Sequence, residues 1–166
     1  MANDMSSPEV LAPGTGEALW FLDTLMQVKL SATTTAGALA VLEQQAPLGS
    51  ATPMHRHEAT DEHFYVLAGE VTFHGPGGVR RCGPGAFVSV PRGTDHGFRV
   101  TAGPAKMLVL TTPATFERFV RAVGRPAPSA IVPPDAPPPS SADLERLVAI
   151  GAQHDVTIVG PPPPAA

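Results

Sequence analysis

The stretch "GSATPMHRHEATDEHFYVLAG", residues 49–69, holds three histidines and three acidic residues in a chain of which only 16% is charged. Side chains two apart in a β-strand share a face, so His55 and His57 can present both imidazoles in one direction while Arg56 points the other way. Glu62 stands before an apolar run, where a carboxylate is costly to bury without a partner. A cation is such a partner, and the stretch therefore predicts a two-histidine chelate at the start of a strand.

A second cluster, "GPGAFVSVPRGTDHGFRV" at residues 83–100, repeats this organisation. A glycine turn, an apolar strand and a Pro-x-Gly turn lead to His96, which opens a strand whose same-face residues are Phe98 and Val100. Either cluster alone is more often a polar loop than a ligand set. Together they offer three imidazoles and a carboxylate at strand starts, which indicates a site for a divalent first-row metal with room for water, dioxygen or substrate.

Short β-type runs broken by glycine and proline turns extend from Ala18 to Leu110 and predict an antiparallel sandwich or barrel. The segment "HGPGGVRR", residues 74–81, is typical of a hairpin turn. After Thr112 the apolar period changes to 3.6, which predicts a short amphipathic helix between Pro113 and Gly124. Its apolar face contains Phe116, Phe119, Val120 and Val123.

A chain of 166 residues fits one domain. We expect residues 1–124 to form the barrel with a flanking N-terminal strand and the C-terminal helix. Residues 125–166 contain eleven of the twenty prolines, so we expect a surface tail. One short helix is predicted in it at "SADLERLVAIG", residues 141–151, with Leu144, Leu147 and Val148 on one face.

Composition argues against several classes of function. The net charge is −4 and no Lys/Arg cluster occurs, which argues against a nucleic-acid partner. The N-terminus is acidic and no apolar stretch approaches the roughly 20 residues needed to span a bilayer, so we expect neither a signal peptide nor a membrane partner. Cys82 is the single cysteine, which excludes an intramolecular disulfide, and a cytoplasmic location is expected.

At these residues the chain resembles the cupin family. The first stretch matches the pattern Gly-x5-His-x-His-x4-Glu-x6-Gly at every fixed position, and the second matches Gly-x5-Pro-x-Gly-x2-His-x3-Asn except at its end, where Val100 replaces asparagine. The matching positions of the first pattern are Gly49, His55, His57, Glu62 and Gly69, and those of the second are Gly85, Pro91, Gly93 and His96.

The resemblance implies an all-β fold, the double-stranded β-helix or jelly-roll barrel of a single-domain cupin, with short C-terminal helices. It also implies one divalent transition metal per chain, whether Fe, Ni, Co, Mn, Cu or Zn, inside one mouth of the barrel. Glu62 would be both a ligand and the catalytic proton acceptor. The implied metal ligands are His55, His57, Glu62 and His96, and the residues expected to line an apolar substrate pocket are Phe64, Phe98 and Val100.

Three functions remain compatible with these residues. The chain is similar to quercetin 2,3-dioxygenase-like cupins, which implies an oxygenase that uses dioxygen on a polyphenol or other enolisable aromatic compound. The first alternative is a non-oxidative cyclase or isomerase of polyketide-type secondary metabolism, and the second is a metal-loaded module that binds a small molecule without turnover. Because a barrel of this size exposes edge strands, we also expect a homodimer, in which "ALWFLDTLMQVKL", residues 18–30, helps to cover them.

The remaining ionisable residues predict less. His63 follows Glu62 directly and should point to the opposite face, and Asp61 is expected to be a turn carboxylate. His74 and His154 show no partner in the sequence, and Cys82 is expected to be a small residue at a strand end.

Overall fold

The computed structural model describes residues 8–135 and 140–165, and antiparallel β-strands are its main secondary structure. Two short helices complete the fold, α1 (Phe116–Val123) and α2 (Ser141–Gly151). The strands are β1 (Glu17–Phe21), β2 (Thr24–Leu30), β3 (Ala40–Ala46), β4 (Met54–Arg56), β5 (Asp61–Gly75), β6 (Gly78–Cys82), β7 (Phe87–Val90), β8 (Gly97–Thr112), β9 (Arg125–Pro126) and β10 (Thr157–Gly160).

The main sheet runs in the order β6-β5-β8-β3-β2-β1-β9, and β7 pairs with the first half of β5. Strands β5 and β8 are the longest, and their register shifts between Val66 and Val71. Such irregularities bend a strand, so one strand can serve two sides of a barrel. Gly69 lies in this bend with a φ of +74°, and an added Cβ would stand 2.6 Å from the carbonyl oxygen of Pro104. The glycine at this motif position is therefore required by the close approach of two backbones.

The barrel interior is formed by alternate residues of each strand. On β3 the side chains of Ala40, Leu42, Gln44 and Ala46 are buried, whereas the residues between them are half-buried. The hairpin predicted at residues 74–81 is confirmed, since Gly75 pairs with Gly78 across the turn from β5 to β6. One apolar core fills the barrel and continues to the helices.

Both predicted helices are present. Helix α1 buries Phe116, Phe119 and Val120, and the Phe119 ring packs edge-on against Phe21 with their centroids 5.6 Å apart. Helix α2 begins after Ser140, whose hydroxyl accepts a hydrogen bond from the backbone amide of Asp143.

The apolar face of α2 that carries Leu144, Leu147 and Val148 is only partly covered. Leu144 is 42% exposed and Val148 is 49% exposed, and only Leu147 of the three is buried. The helix packs against α1 and β10, and these neighbours cover only part of its apolar face.

The N-terminal segment expected to contribute to a dimer forms the β1–β2 hairpin inside the sheet of its own chain. Strand β1 also pairs with the two residues of β9 on its other side. The homodimer stays a prediction.

Part of the proline-rich tail is not on the surface. Strand β10 pairs with β4, Val156 is buried, and the carbonyl oxygen of Pro163 accepts two hydrogen bonds from the guanidinium of Arg99, at 2.7 and 3.0 Å. The physical reason is that β4 has only three residues and needs a strand partner for its backbone groups. Within residues 8–135 and 140–165, no helix is long and apolar enough to cross a membrane.

Candidate metal centre

Four side chains from distant parts of the sequence meet inside one end of the barrel. The nearest potential ligand atoms of all four lie within 4.8 Å of one another, and each residue is at most 8% exposed. We call this group the histidine–glutamate cluster. It consists of His55 on β4, His57 directly after β4, Glu62 at the start of β5 and His96 directly before β8.

Backbone pairing holds these positions together. The amide of His55 donates to the carbonyl oxygen of His96 at 2.8 Å, and the amide of His96 returns a bond to His55 at 2.9 Å. The amide of Gly93 donates to the carbonyl oxygen of His57 at 2.7 Å. Glu62 is paired on both sides, with Val90 of β7 and Thr111 of β8. The ligand positions are thus set by strand pairing and turns rather than by side-chain contacts alone.

Each imidazole of the cluster has its Nδ1 atom against a backbone carbonyl oxygen. The distances are 2.8 Å from His55 to Pro53, 2.9 Å from His57 to Asp155 and 3.0 Å from His96 to Thr94. A carbonyl oxygen only accepts, so Nδ1 carries the hydrogen and donates it. In the neutral ring the lone pair then lies on Nε2, and backbone contacts of this kind orient metal-binding histidines.

The three Nε2 atoms converge on one oxygen. Oε2 of Glu62 lies 2.8 Å from His96, 3.3 Å from His57 and 3.9 Å from His55. Within the described residues, the buried Nε2 of His57 has no hydrogen-bond partner. An ionised carboxylate and three lone pairs repel each other, so a proton or a cation must lie among them. The donor set of three imidazole nitrogens and one carboxylate fits a divalent transition metal.

Electrostatics keep the carboxylate ionised. Burial alone would raise the pKa of Glu62, but the charge of His57 and contacts with the three imidazoles hold that pKa well below its usual range. Burial lowers the pKa of His55, and the neighbouring His96 acts in the same direction. For His57 burial alone would lower the pKa, but the Glu62 carboxylate raises it above its usual value. The cluster thus combines an anionic oxygen with imidazoles of unequal basicity.

Asp155 supports the cluster from the tail, a role that no sequence motif indicates. Its carbonyl oxygen accepts from His57, and its carboxylate accepts from the amides of Glu58 and Ala59 at 3.0 Å and from the hydroxyl of Thr60 at 2.6 Å. Asp155 has a φ of +61°, a conformation that aspartate tolerates better than most residues. A contact made through a backbone carbonyl leaves no pattern in the sequence, so only the folded chain shows it.

Neighbouring charged residues face away from the cluster. His63 lies on the other face of β5, where its ring stacks on Phe87 with their centroids 5.8 Å apart. Arg56 pairs with Glu58 at 2.7 Å and with Asp95 at 3.1 Å. These contacts agree with the strand alternation predicted for residues 55–63.

Other ionisable residues have structural partners. Asp61 is paired with Arg92, whose guanidinium and backbone amide lower the pKa of that carboxyl to about 2. Burial and the nearby charge of Glu70 raise the pKa of the Cys82 thiol. The ring of His154 packs near Phe119, with centroids 6.4 Å apart.

An apolar cleft borders the cluster at His55, and the space between its walls, open solvent included, is about 510 Å³. Phe98, one of the three predicted pocket residues, lines it. Phe64 and Val100 are not among its described lining residues, and both are buried in the core. The Phe64 ring packs at 5.0 Å from Phe73. The other walls come from α1, α2 and the tail, through Phe116, Phe119, Leu147, Val156 and Ile158.

Comparison with known proteins gives consistent relationships. A family model described as "Cupin domain" matches residues 42–111. Quercetin 2,3-dioxygenase of Bacillus subtilis (strain 168) is 30% identical over 158 residues, which are 95% of this chain and 46% of that protein. The chain therefore spans about half the length of this curated relative.

Solved structures with the same fold include the polyketide cyclase RemF from Streptomyces resistomycificus, with a TM-score of 0.56 and 20% identity over 78% of this chain and 90% of that chain. A predicted oxalate decarboxylase from Thermotoga maritima gives a TM-score of 0.58 and 19% identity over 63% of this chain and 99% of that chain. At such identities the likeness concerns the fold alone, and the predicted jelly-roll barrel is confirmed.

Proposed function

The chain belongs to the cupin family, and from this premise we propose that it is a metal-dependent enzyme for small molecules, a dioxygenase similar to the quercetin dioxygenases. The observation that carries the proposal is the buried histidine–glutamate cluster beside an apolar cavity. The sequence likeness to a quercetin 2,3-dioxygenase supports oxygenation among the chemistries that this fold accommodates.

In the proposed site Nε2 of His55, His57 and His96 and the carboxylate of Glu62 would hold the metal. A divalent transition metal at this place would supply Lewis acidity and, when redox-active, reactivity toward dioxygen. The imidazoles are kept in the orientation this binding requires by the carbonyl oxygens of Pro53, Thr94 and Asp155.

Glu62 is also proposed to accept a proton from the substrate. The carboxylate is ionised at neutral pH and fully surrounded by protein, so few water molecules compete for it. A substrate hydroxyl placed against a carboxylate oxygen of Glu62 can transfer its proton there, which increases the electron density on the substrate oxygen and its ring.

The cavity is proposed to orient a flat aromatic substrate and to exclude water. The rings of Phe98, Phe116 and Phe119 supply apolar walls next to His55. Aromatic side chains bind planar ligands through large contact areas with few rotatable bonds. A phenol with two or three rings has the shape and the polarity that suit this arrangement.

The test measures oxygen uptake by protein loaded separately with iron, nickel, cobalt, copper, manganese or zinc, with flavonols and catechols as substrates. We expect uptake with at least one redox-active metal and incorporation of oxygen from isotopically labelled dioxygen into the product. The Glu62→Gln variant should lose uptake, whereas His63→Ala should retain it. Absence of uptake with every metal and substrate contradicts the oxygenase proposal.

A non-oxidative cyclase or isomerase is the second candidate. It is favoured by the donor set, which suits redox-inert zinc as well as iron or nickel. Turnover of an enolisable aromatic substrate by zinc-loaded protein without dioxygen would establish it in place of the oxygenase. Recovery of a bound compound unchanged, under both conditions, would instead indicate a binding module.

A further inference from the structure

Gln44 occupies an interior position of β3 where the alternation of the strand requires a buried side chain. It is 3% exposed, and the other interior residues of this strand are Ala40, Leu42 and Ala46. A polar residue at such a position is informative, because glutamine is mostly exposed in folded proteins.

The strand neighbours of Gln44 are both apolar. Its neighbours on the adjacent strands are Met26 of β2 and Met107 of β8, and both are buried. Among the described residues, no hydrogen bond joins the side-chain amide of Gln44 to the protein. A side-chain amide has two N–H donors and a carbonyl acceptor, and neither amide atom of Gln44 is among the fully buried atoms that have no partner. Gln44 and His55 both line the apolar cavity.

Other polar groups of the cavity lie near the β1–β2 turn. The hydroxyl of Ser50 donates to Oδ1 of Asp23 at 3.0 Å, and both residues line the cavity. The hydroxyl of Thr24 donates to the carbonyl oxygen of Phe21, and that of Thr52 accepts from the amide of Phe98. These hydroxyls have hydrogen-bond partners, whereas the Gln44 amide has none among the described residues.

The strand register separates Gln44 from the metal cluster. Ala40 pairs with Thr111, which in turn pairs with Glu62, so Ala40 lies in the same row of the sheet as the cluster. Gln44 is four residues further along β3, which corresponds to roughly 13 Å at about 3.3 Å per residue. The cavity thus reaches the histidine–glutamate cluster at His55 and the side chain of Gln44 at a point further along the strands.

We propose that Gln44, beside the Asp23–Ser50 pair, is a specificity-determining subsite of the cavity. It binds a hydroxyl or carbonyl group on the part of an aromatic substrate that is remote from the metal cluster. The inference rests on the proposed function, because it concerns the substrate of that same site. The preferred substrates are accordingly flat phenols of two or three rings with hydrogen-bonding groups at both ends.

The experiment uses zinc-loaded protein without turnover, so that its result is independent of whether the enzyme is an oxygenase. Binding of quercetin is compared by calorimetry with binding of 3-hydroxyflavone, which has the same frame without the remote hydroxyls. We expect the wild type to prefer quercetin by about tenfold or more, as is typical of one well-formed hydrogen bond. The Gln44→Leu variant should lose that preference and bind 3-hydroxyflavone within about twofold of the wild type.

The matched control is Gln45→Leu, because Gln45 is the next residue and lies on the outer face of β3. This variant should keep the preference for quercetin. Urea unfolding of the ligand-free variants separates a binding role from a structural one, since Gln44→Leu should not lower the midpoint if the amide serves only to bind a ligand. An unchanged preference in Gln44→Leu, a lowered midpoint with the preference retained, or no binding of either flavonol by the wild type each overturns the inference.

Discussion

Replacement of Asp155 by alanine is expected to weaken metal binding by about 10- to 100-fold, although Asp155 is not a ligand. The carboxylate ties the turn between His57 and Glu62 to the tail through Glu58, Ala59 and Thr60. Without it, the two cluster residues that flank this turn are no longer held at a fixed separation. Some of the binding free energy is then spent on ordering the turn.

The loss of folding stability in Asp155→Ala can be worked out from the hydrogen bonds that this substitution removes. Hydrogen bonds to a charged acceptor contribute roughly 1.5 to 3 kcal/mol each when buried, and less where water can replace them. The amides of Glu58 and Ala59 are near the surface, whereas Thr60 is buried. We therefore expect a loss of about 2 to 3 kcal/mol in the free energy of unfolding. Because alanine is strained at the positive φ of this position, the Asp155→Ala variant should lose about 1 kcal/mol more, and a glycine variant would avoid this additional loss.

Metal affinity is measured by competition with a chelator, and the ligand geometry by the visible absorption of cobalt-loaded protein. Asp155→Asn keeps one acceptor oxygen and tolerates the backbone conformation, so it should restore most of the affinity. Asp155→Gly should lie between the asparagine and alanine variants. Gln153→Ala is the matched control, because Gln153 is exposed and its amide contacts only its own helix region, at Ala149.

A purely structural role for Asp155 predicts a different result. The stability would fall while the metal affinity and the cobalt spectrum of the folded protein stayed as in the wild type. That outcome would refute the reasoning that the tail positions the ligands.

Three further predictions concern the cluster, the cavity and the outer face of the sheet. Alanine in place of any one histidine of the histidine–glutamate cluster should abolish stoichiometric metal by elemental analysis, whereas His63→Ala should retain it; equal loss in both would contradict the cluster. Gln44→Met should leave the free energy of unfolding of the ligand-free protein within about 1 kcal/mol of the wild type in urea denaturation, because no side-chain hydrogen bond of the described residues is lost. For Glu43, burial alone would raise the carboxyl pKa, but the hydrogen bond from Lys106 and the charge of Lys29 hold that pKa below its usual value of 4.5. The interactions of Glu43 with the two lysines therefore stabilise the fold above pH 4.5, and this contribution is lost as the pH falls below that value. In acid titrations followed by circular dichroism, Glu43→Gln should accordingly lose less stability than the wild type.

The sequence predicts the cluster well because its geometry depends on local rules. His55 and His57 share a face through the two-residue period of a strand, and the spacing to Glu62 allows one turn before the next strand begins. Gly69 could be anticipated as well, because a tight approach of two backbones requires glycine. The distant His96 enters through a second motif of the same kind.

The support of the cluster could not be predicted in the same way. Asp155 contacts His57 through its backbone, and strand β10 reaches β4 through backbone pairing, so neither contact depends on a recognisable side chain. The exposure of Leu144 and Val148 depends on how much of α2 finds a partner, which is a property of the packed molecule. Gln44 did carry a signal, since strict alternation from Ala40 and Leu42 places a polar residue inside the barrel.

The contact between His57 and Asp155 joins residues 98 positions apart. During synthesis the histidines and the glutamate of the cluster are complete long before this contact can form. The nascent chain must therefore close a long loop before His57 has its final orientation. The orientation of His57 that a metal at the cluster would require is thus complete only after the ribosome has passed Asp155.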